Sequence, residues 1–297
     1  MLRTTMAATT TFKRLIRFTP HSSPTTPLIG QPTSDHTDIG LAFHAGSPEP
    51  ISVYSGSSIL SPGTPTGAIE TLHTLLSPLA PSEVGTIRCI GLNYKQHAAE
   101  VGMDLPTVPT VFLKPSTSLA GPGRALLPHV TREDDTGDFE SELVVVIGKE
   151  ARNVSEAEAL DYVLGYTAGN DVSSRGAQFA QSQWCYSKGF DGSAPIGPAL
   201  VSAREVPDPS KLRMRGLLNG EVMQDCGIDD MVFSVAKLVS FLSQGTTLPP
   251  GTCIMTGTPA GVGISKKPAV RIRGGDEFRV EIVPLVGTLV NRFEYEE

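Results

Sequence analysis

Apolar residues are densest at Leu143-Val144-Val145-Val146-Ile147, directly after Asp138-Phe139-Glu140-Ser141-Glu142. A run of branched side chains like this predicts a buried strand. Side chains alternate along a strand, so Glu140 and Glu142 share one face, and Phe139, Ser141 and Leu143 take the other. Elsewhere the pattern is shorter. Residues 12–18 alternate well enough to predict a first strand, although Arg14 and Leu15 break strict alternation, and short strands follow at 39–43 and 51–54. Ile69, Leu72, Leu75 and Leu76 stand at helical spacing, which predicts a helix over 67–77 capped by Thr66 and ended by Pro78. Strands are predicted at 86–91 and 111–115. A helix capped at Ser155 is predicted to run to Leu164 and stop at Gly165, with a further helical stretch through Arg175 and Gln178. Asn219-Gly220 marks a hairpin, residues 232–242 an amphipathic helix, and 253–255, 270–272 and 277–283 late strands. The pattern divides the chain near residue 85, into a small β-rich N-terminal domain (1–85) and a larger domain (86–297). The fold class is α+β, mainly β.

Composition narrows this little. The chain has 297 residues, with 39% hydrophobic and 19% charged, and its 30 Gly and 24 Pro suit a turn-rich, strand-rich fold. A net charge of −7 leaves no basic footprint for nucleic acid. No apolar run reaches the roughly 20 residues that span a bilayer. Cys89, Cys185, Cys226 and Cys253 are scattered without CxxC spacing, which fits reduced thiols in an intracellular protein rather than a disulfide framework or a zinc site. The first acidic residue is Asp35, preceded by Arg3, Lys13, Arg14 and Arg17 among many Ser and Thr. That composition also fits a mitochondrial transit peptide, which competes with the first-strand reading. The strand reading leaves residues 1–11 as a disordered tail and the protein in the cytoplasm; the transit-peptide reading sends it to mitochondria.

The chemistry starts at the paired carboxylates. Two buried glutamates on one face repel each other and lose solvation; a divalent cation held by oxygen ligands offsets both costs. Solvated glutamates at a polar strand end are the competing reading. His97 and Glu100, three apart, share a face on a helical turn. There a carboxylate on one imidazole nitrogen fixes the tautomer and raises the basicity of the other, which suits a general base acting on water. An exposed surface pair is the alternative. Arg175 and Gln178 lie four and seven residues after Asp171, so one helical face could carry all three. Arg175 could clamp a substrate carboxylate or simply neutralise the acidic cluster. Thr256 and Thr258, in a Gly-rich turn, offer hydroxyl and backbone donors or mere turn chemistry.

Six motifs in one order then carry a resemblance: Gly91-Leu92-Asn93-Tyr94 with His97 and Glu100; Phe112-Leu113-Lys114-Pro115-Ser116; Asp138 to Leu143; Gly169-Asn170-Asp171-Val172-Ser173-Ser174-Arg175; Lys188-Gly189-Phe190-Asp191 with Pro195-Ile196-Gly197-Pro198; and Thr256 to Gly263. From Ile87 onward the chain resembles the fumarylacetoacetate hydrolase family. The resemblance implies a mixed β-sandwich roll, a homodimer, and a Mg²⁺, Mn²⁺ or Ca²⁺ site with Glu140, Glu142 and Asp171 as ligands. It implies a catalytic role for His97 and Glu100 on a segment that orders when ligand binds. It also implies that Lys188 reaches the metal site as a fixed positive charge. The substrate is then a small-molecule 2-oxo acid or 1,3-dicarbonyl. The strand before His97 reads Ile90-Gly91-Leu92-Asn93, without the further carboxylate of the fumarylacetoacetate-cleaving members. That departure points to the acylpyruvate hydrolase and oxaloacetate decarboxylase branch, and to Mg²⁺ or Mn²⁺ before Ca²⁺. The loop between Gln178 and Lys188 is shorter than in decarboxylase-like members. The expected activity is C–C bond hydrolysis in acylpyruvates through a metal-stabilised enolate. Decarboxylation or tautomerisation of oxaloacetate is the alternative, and a non-catalytic metal-binding scaffold the third reading.

Overall fold

The computed structural model describes residues 11–297. The tail expected over 1–11 lies outside them except for Thr11. Strands dominate and helices are few and short, the longest being Val235–Ser243. An eleven-stranded sheet holds the carboxylate strand, Ser141–Ile147, in its interior. This strand pairs antiparallel with Val163–Asn170 on one side and Cys253–Met255 on the other; the latter pairs parallel with Ile87–Gly91. Being central, the strand is buried on both faces, which is why its sequence is apolar without alternation. Phe139, Leu143, Val145 and Ile147 enter a large core with Phe278 and Val280 of a five-stranded sheet and Leu238 of the long helix. Val144 and Val146 enter a second core with Leu15, Cys89, Phe112 and Met255. Each such side chain contributes about 1.5–3 kcal/mol by leaving water.

The first strand forms as Arg14–Pro20. It pairs with Leu28–Pro32 and with Pro65–Leu76, and its start also pairs with Ala194–Ser202 (Leu15 opposite Leu200), so the N-terminal strands continue the central sheet.

Four expected elements differ. Residues 39–43 are helical (Ile39–His44), because the Asp38 carboxylate accepts from Gly40 N and Leu41 N at 3.1 Å and caps a turn there. Residues 67–77 are not a helix but belong to the strand Pro65–Leu76. Pro20 faces Leu72 and Thr19 faces Thr74, so His73 is the extra residue of a bulge. The bulge returns Leu72 and Leu75 to one buried face three residues apart, imitating helical spacing. The Thr66 hydroxyl donates to Val53 O rather than capping a helix. In the third region only a short 3₁₀ turn, Ala159–Tyr162, forms before Val163 enters the ladder opposite Ile147. Ser155 spends its hydroxyl on Glu158, and Gly165 permits a close strand approach: a Cβ there would lie 2.1 Å from Val201 O. Finally, 270–272 is irregular chain, with Val270 N bonded to Gly263 O and Ile272 N to Gly137 O. The helix expected from 232 starts at Val235, where the Ser234 hydroxyl accepts from Lys237 N.

Candidate active site

Register builds the acidic centre. Ser141 pairs with Asn170, so Asp171 sits beside Glu140, its N–H donating to Glu140 O at 2.9 Å. Asn170 turns its side-chain oxygen back to Glu140 N at 3.0 Å. Alternation along the strand then brings Glu142 to the same face, and oxygens of Glu140, Glu142 and Asp171 lie within 4.8 Å of one another, all three residues buried. The solvated-glutamate reading is therefore excluded.

Three cations surround this group. Lys188 Nζ donates to Glu140 (2.9 Å), Asp171 (2.8 Å) and Ser173 Oγ (2.9 Å). Lys114, wholly buried at the end of its strand, lies 2.7 Å from the other Asp171 oxygen. Arg175 bridges Asp138 (2.8 Å) and Glu140 (2.7 Å), and its remaining edge donates to Gln178 at 2.8 Å. Of the two readings open for Arg175, its contacts are those of neutralisation. The helix begins at Arg175, so Asp171 does not share its face; Glu140 lies between them, paired with Arg175 and sharing Lys188 with Asp171.

The charges do not balance. Burial alone would raise the Glu140 carboxyl, but Lys188 and Arg175 outweigh it and hold it at about 2. Glu142 has no cation; burial, with Asp171 and Glu140 beside it, pushes it well above the usual carboxylate range. It accepts a hydrogen bond from Gly257 N at 2.7 Å. Four carboxylates, Asp138 included, thus face three cations. A dication there would supply the missing charge, and leave one positive charge over for an anionic ligand. The donor set is all oxygen, and the 4.8 Å spread matches the ligand-to-ligand spans of about 4–5 Å around ions from Mg²⁺ to Ca²⁺. The residues fit a hard divalent cation.

Opposite the acids stands the short helix Lys95–Glu100, formed and packed against the Gly-rich turn. His97 Nδ1 bonds Glu100 at 2.9 Å, and the second Glu100 oxygen accepts from Gly261 N at 2.9 Å. Burial would raise Glu100, but His97 and the Gly261 N–H outweigh it and hold it below the usual range. Nδ1 is thus committed, and Nε2 is left for the cavity. That cavity, about 710 Å³, is lined by His97, Glu140, Arg175, Gln178, Lys188 and Thr258, among others.

Thr256 turns its hydroxyl to Leu143 O at 2.9 Å, so its part is turn chemistry. Thr258 reaches the cavity but also accepts from Gln224 Nε2 at 2.7 Å. Gly257, at φ +97°, makes the bend that aims its N–H at Glu142.

Three participants escaped single-residue reading. Lys114 is a lone charge closing an apolar strand. Asp138 accepts from Gly263 N, Ile264 N and Arg175, tying the Gly-rich turn to the acidic strand. Asn93, following Leu92 in left-handed conformation (φ 54°), pins Thr256 O and both backbone groups of Phe233. Each lies inside one of the six family motifs, and that membership is the signal the sequence carries for it.

Fold and site together define a mainly β protein with a buried three-carboxylate centre beside a His–Glu pair. The chain belongs to the fumarylacetoacetate hydrolase family: the family model described as Fumarylacetoacetate (FAA) hydrolase C-terminal matches residues 86–294. It is 42% identical over 294 residues to a caffeoylpyruvate hydrolase of Neonothopanus nambi, covering 97% of this chain and 95% of that protein. It is 39% identical over 211 residues to a mitochondrial oxaloacetate tautomerase of Xenopus laevis, covering 70% of this chain and 65% of that one. Among solved structures it is similar to a 2-hydroxyhepta-2,4-diene-1,7-dioate isomerase from Mycobacterium marinum, with a TM-score of 0.77, 32% identity, and 96% and 99% of the two chains covered. Among the described residues, no helix is long and apolar enough to cross a membrane.

Proposed function

We propose that the protein is a divalent-metal-dependent hydrolase that cleaves the C–C bond of acylpyruvates, with residues 86–297 carrying the reaction and 1–85 an accessory part. The observation that carries this reading is one cavity lined both by His97, the partner of Glu100, and by Glu140 of the Glu140–Glu142–Asp171 group. Mg²⁺ or Mn²⁺ on the three carboxylates would supply Lewis-acid charge to the two oxygens of a 2-oxo acid head.

The chain's own groups do the rest. Glu100 fixes the His97 tautomer so that Nε2 takes a proton from water. The water oxygen adds to the acyl carbonyl, the bond to the neighbouring CH₂ breaks, and that electron pair leaves with the pyruvate fragment. His97 then returns its proton to the CH₂ carbon, giving a carboxylic acid and pyruvate. Lys188 has all three protons committed within the site, so it acts on developing negative charge through its field rather than a new hydrogen bond.

A second reading, tautomerisation or decarboxylation of oxaloacetate, draws support from the oxaloacetate tautomerase relatives and needs no water delivery. The deciding experiment supplies the purified protein, stripped of metal and reloaded with Mg²⁺, with acetylpyruvate and with oxaloacetate. Acetate and pyruvate appearing only with metal is the expected result. Oxaloacetate turnover without acetylpyruvate cleavage replaces the first reading by the second.

A further inference from the structure

The oxo-acid head accounts for one end of the cavity only. Its apolar wall is formed by Phe112, Phe179, Trp184, Met103 and Val262. Trp184 packs edge-on against Phe112, with centroids 5.7 Å apart and planes at 75°. Space for the indole is provided by Gly91, where a Cβ would lie 2.2 Å from the Trp184 ring. The wall begins beside the acidic centre: Lys188 Nζ lies 5.1 Å from the centroid of the Phe112 ring.

No free cation waits at this end among the described lining residues. Arg175 is spent on Asp138, Glu140 and Gln178, and Lys188 on Glu140, Asp171 and Ser173. A substrate ending in a second carboxylate would bury that charge against apolar rings. A volume of about 710 Å³ is one that encloses a drug-sized ligand, far more than acetylpyruvate fills.

We infer that Trp184, seated on Gly91 and Phe112, forms an aryl subsite, and that the substrate is a 2,4-dioxo acid bearing an aromatic group at its acyl end. This rests on the acylpyruvate reading above. Cleavage then takes one water per aroylpyruvate; the bond between the aroyl carbon and CH₂ breaks, releasing an aromatic carboxylate, pyruvate and a proton.

Trp184 is the sole tryptophan of the chain, so its fluorescence reports the subsite directly. In the Mg²⁺-loaded His97→Ala protein, benzoylpyruvate, acetylpyruvate and a succinyl-substituted pyruvate ending in a carboxylate are titrated against its emission. Benzoylpyruvate is expected to bind at least tenfold tighter than either. In otherwise intact protein, Trp184→Ala should cut the kcat/KM ratio of benzoylpyruvate to acetylpyruvate about 10- to 100-fold, and Trp184→Phe should retain most of it. Equal binding of the three, tighter binding of the dicarboxylate, or an unchanged ratio in Trp184→Ala overturns the aryl subsite. Hydrolysis of all three without preference overturns it while leaving the acylpyruvate hydrolase reading intact. Tight benzoylpyruvate binding without any hydrolysis does the reverse.

Discussion

Two groups of side chains divide the work at the candidate site, and substitution separates them. His97 lies outside the carboxylate group, so His97→Ala should lower acylpyruvate cleavage by about 10²–10⁴-fold while Mg²⁺ affinity stays near the original. Glu100→Gln should cost less, since it weakens the orientation of the base without deleting it. Glu142→Ala should lose both metal and turnover. Rate measurements on acetylpyruvate beside calorimetric Mg²⁺ titration check all three. Any oxaloacetate decarboxylation should survive His97→Ala better than hydrolysis; equal loss of both would assign His97 to positioning. At this scale the sequence was most legible where chemistry is unusual. Paired glutamates before an apolar run cannot be ignored, and a His–Glu pair three apart names its own geometry. Lys114 and Asp138 were harder because their partners are distant in sequence: Lys114 meets Asp171 and Ser193, and Asp138 meets Gly263. Nothing local reveals such pairings.

At the scale of elements, local periodicity was reliable in the central strand and misleading at the periphery. The bulge at His73 converts a strand's period of two into an apparent period of three, and a single capping carboxylate makes a helix of six residues that otherwise read as strand. Asp38 also holds Thr288, accepting from its N–H at 3.2 Å and its hydroxyl at 2.7 Å, and so fixes that helix to the last strand. Asp38→Ala should therefore cost about 1–2 kcal/mol, a cap plus its tether. Denaturant titration should register the loss, with KM for the substrate unchanged. A stability equal to that of the original chain would mean that the cap contributes nothing here.

Across the whole molecule, burial sorts the four thiols. Cys89 and Cys253 are fully enclosed and Cys226 nearly so, while Cys185 is exposed. Burial pushes Cys253 up to about 12; burial with Asp230 and Asp229 pushes Cys226 up to about 11; burial, with Asp171 near, raises Cys89 well above the ordinary value. A thiol reacts as its thiolate, so raising the pH from 7 to 9 still leaves these three protonated. Iodoacetamide should label Cys185 alone in the native protein across that range, and all four cysteines after denaturation, as read by mass spectrometry. A second native adduct would show that one core opens readily.

The insertion of Cys253–Met255 between the strands Ser141–Ile147 (antiparallel to it) and Ile87–Gly91 (parallel to it) sets the order in which this protein can be made. A ribosome delivers the glutamates more than a hundred residues before the strand that covers their neighbours and before Gly257, the N–H donor to Glu142. Until then the two flanking strands hold unpaired edges, which are prone to wrong pairing. The acidic centre is thus complete only once residues 253–257 have been made, and a chain truncated before residue 253 would have both ends of its proposed chemistry and no means of joining them.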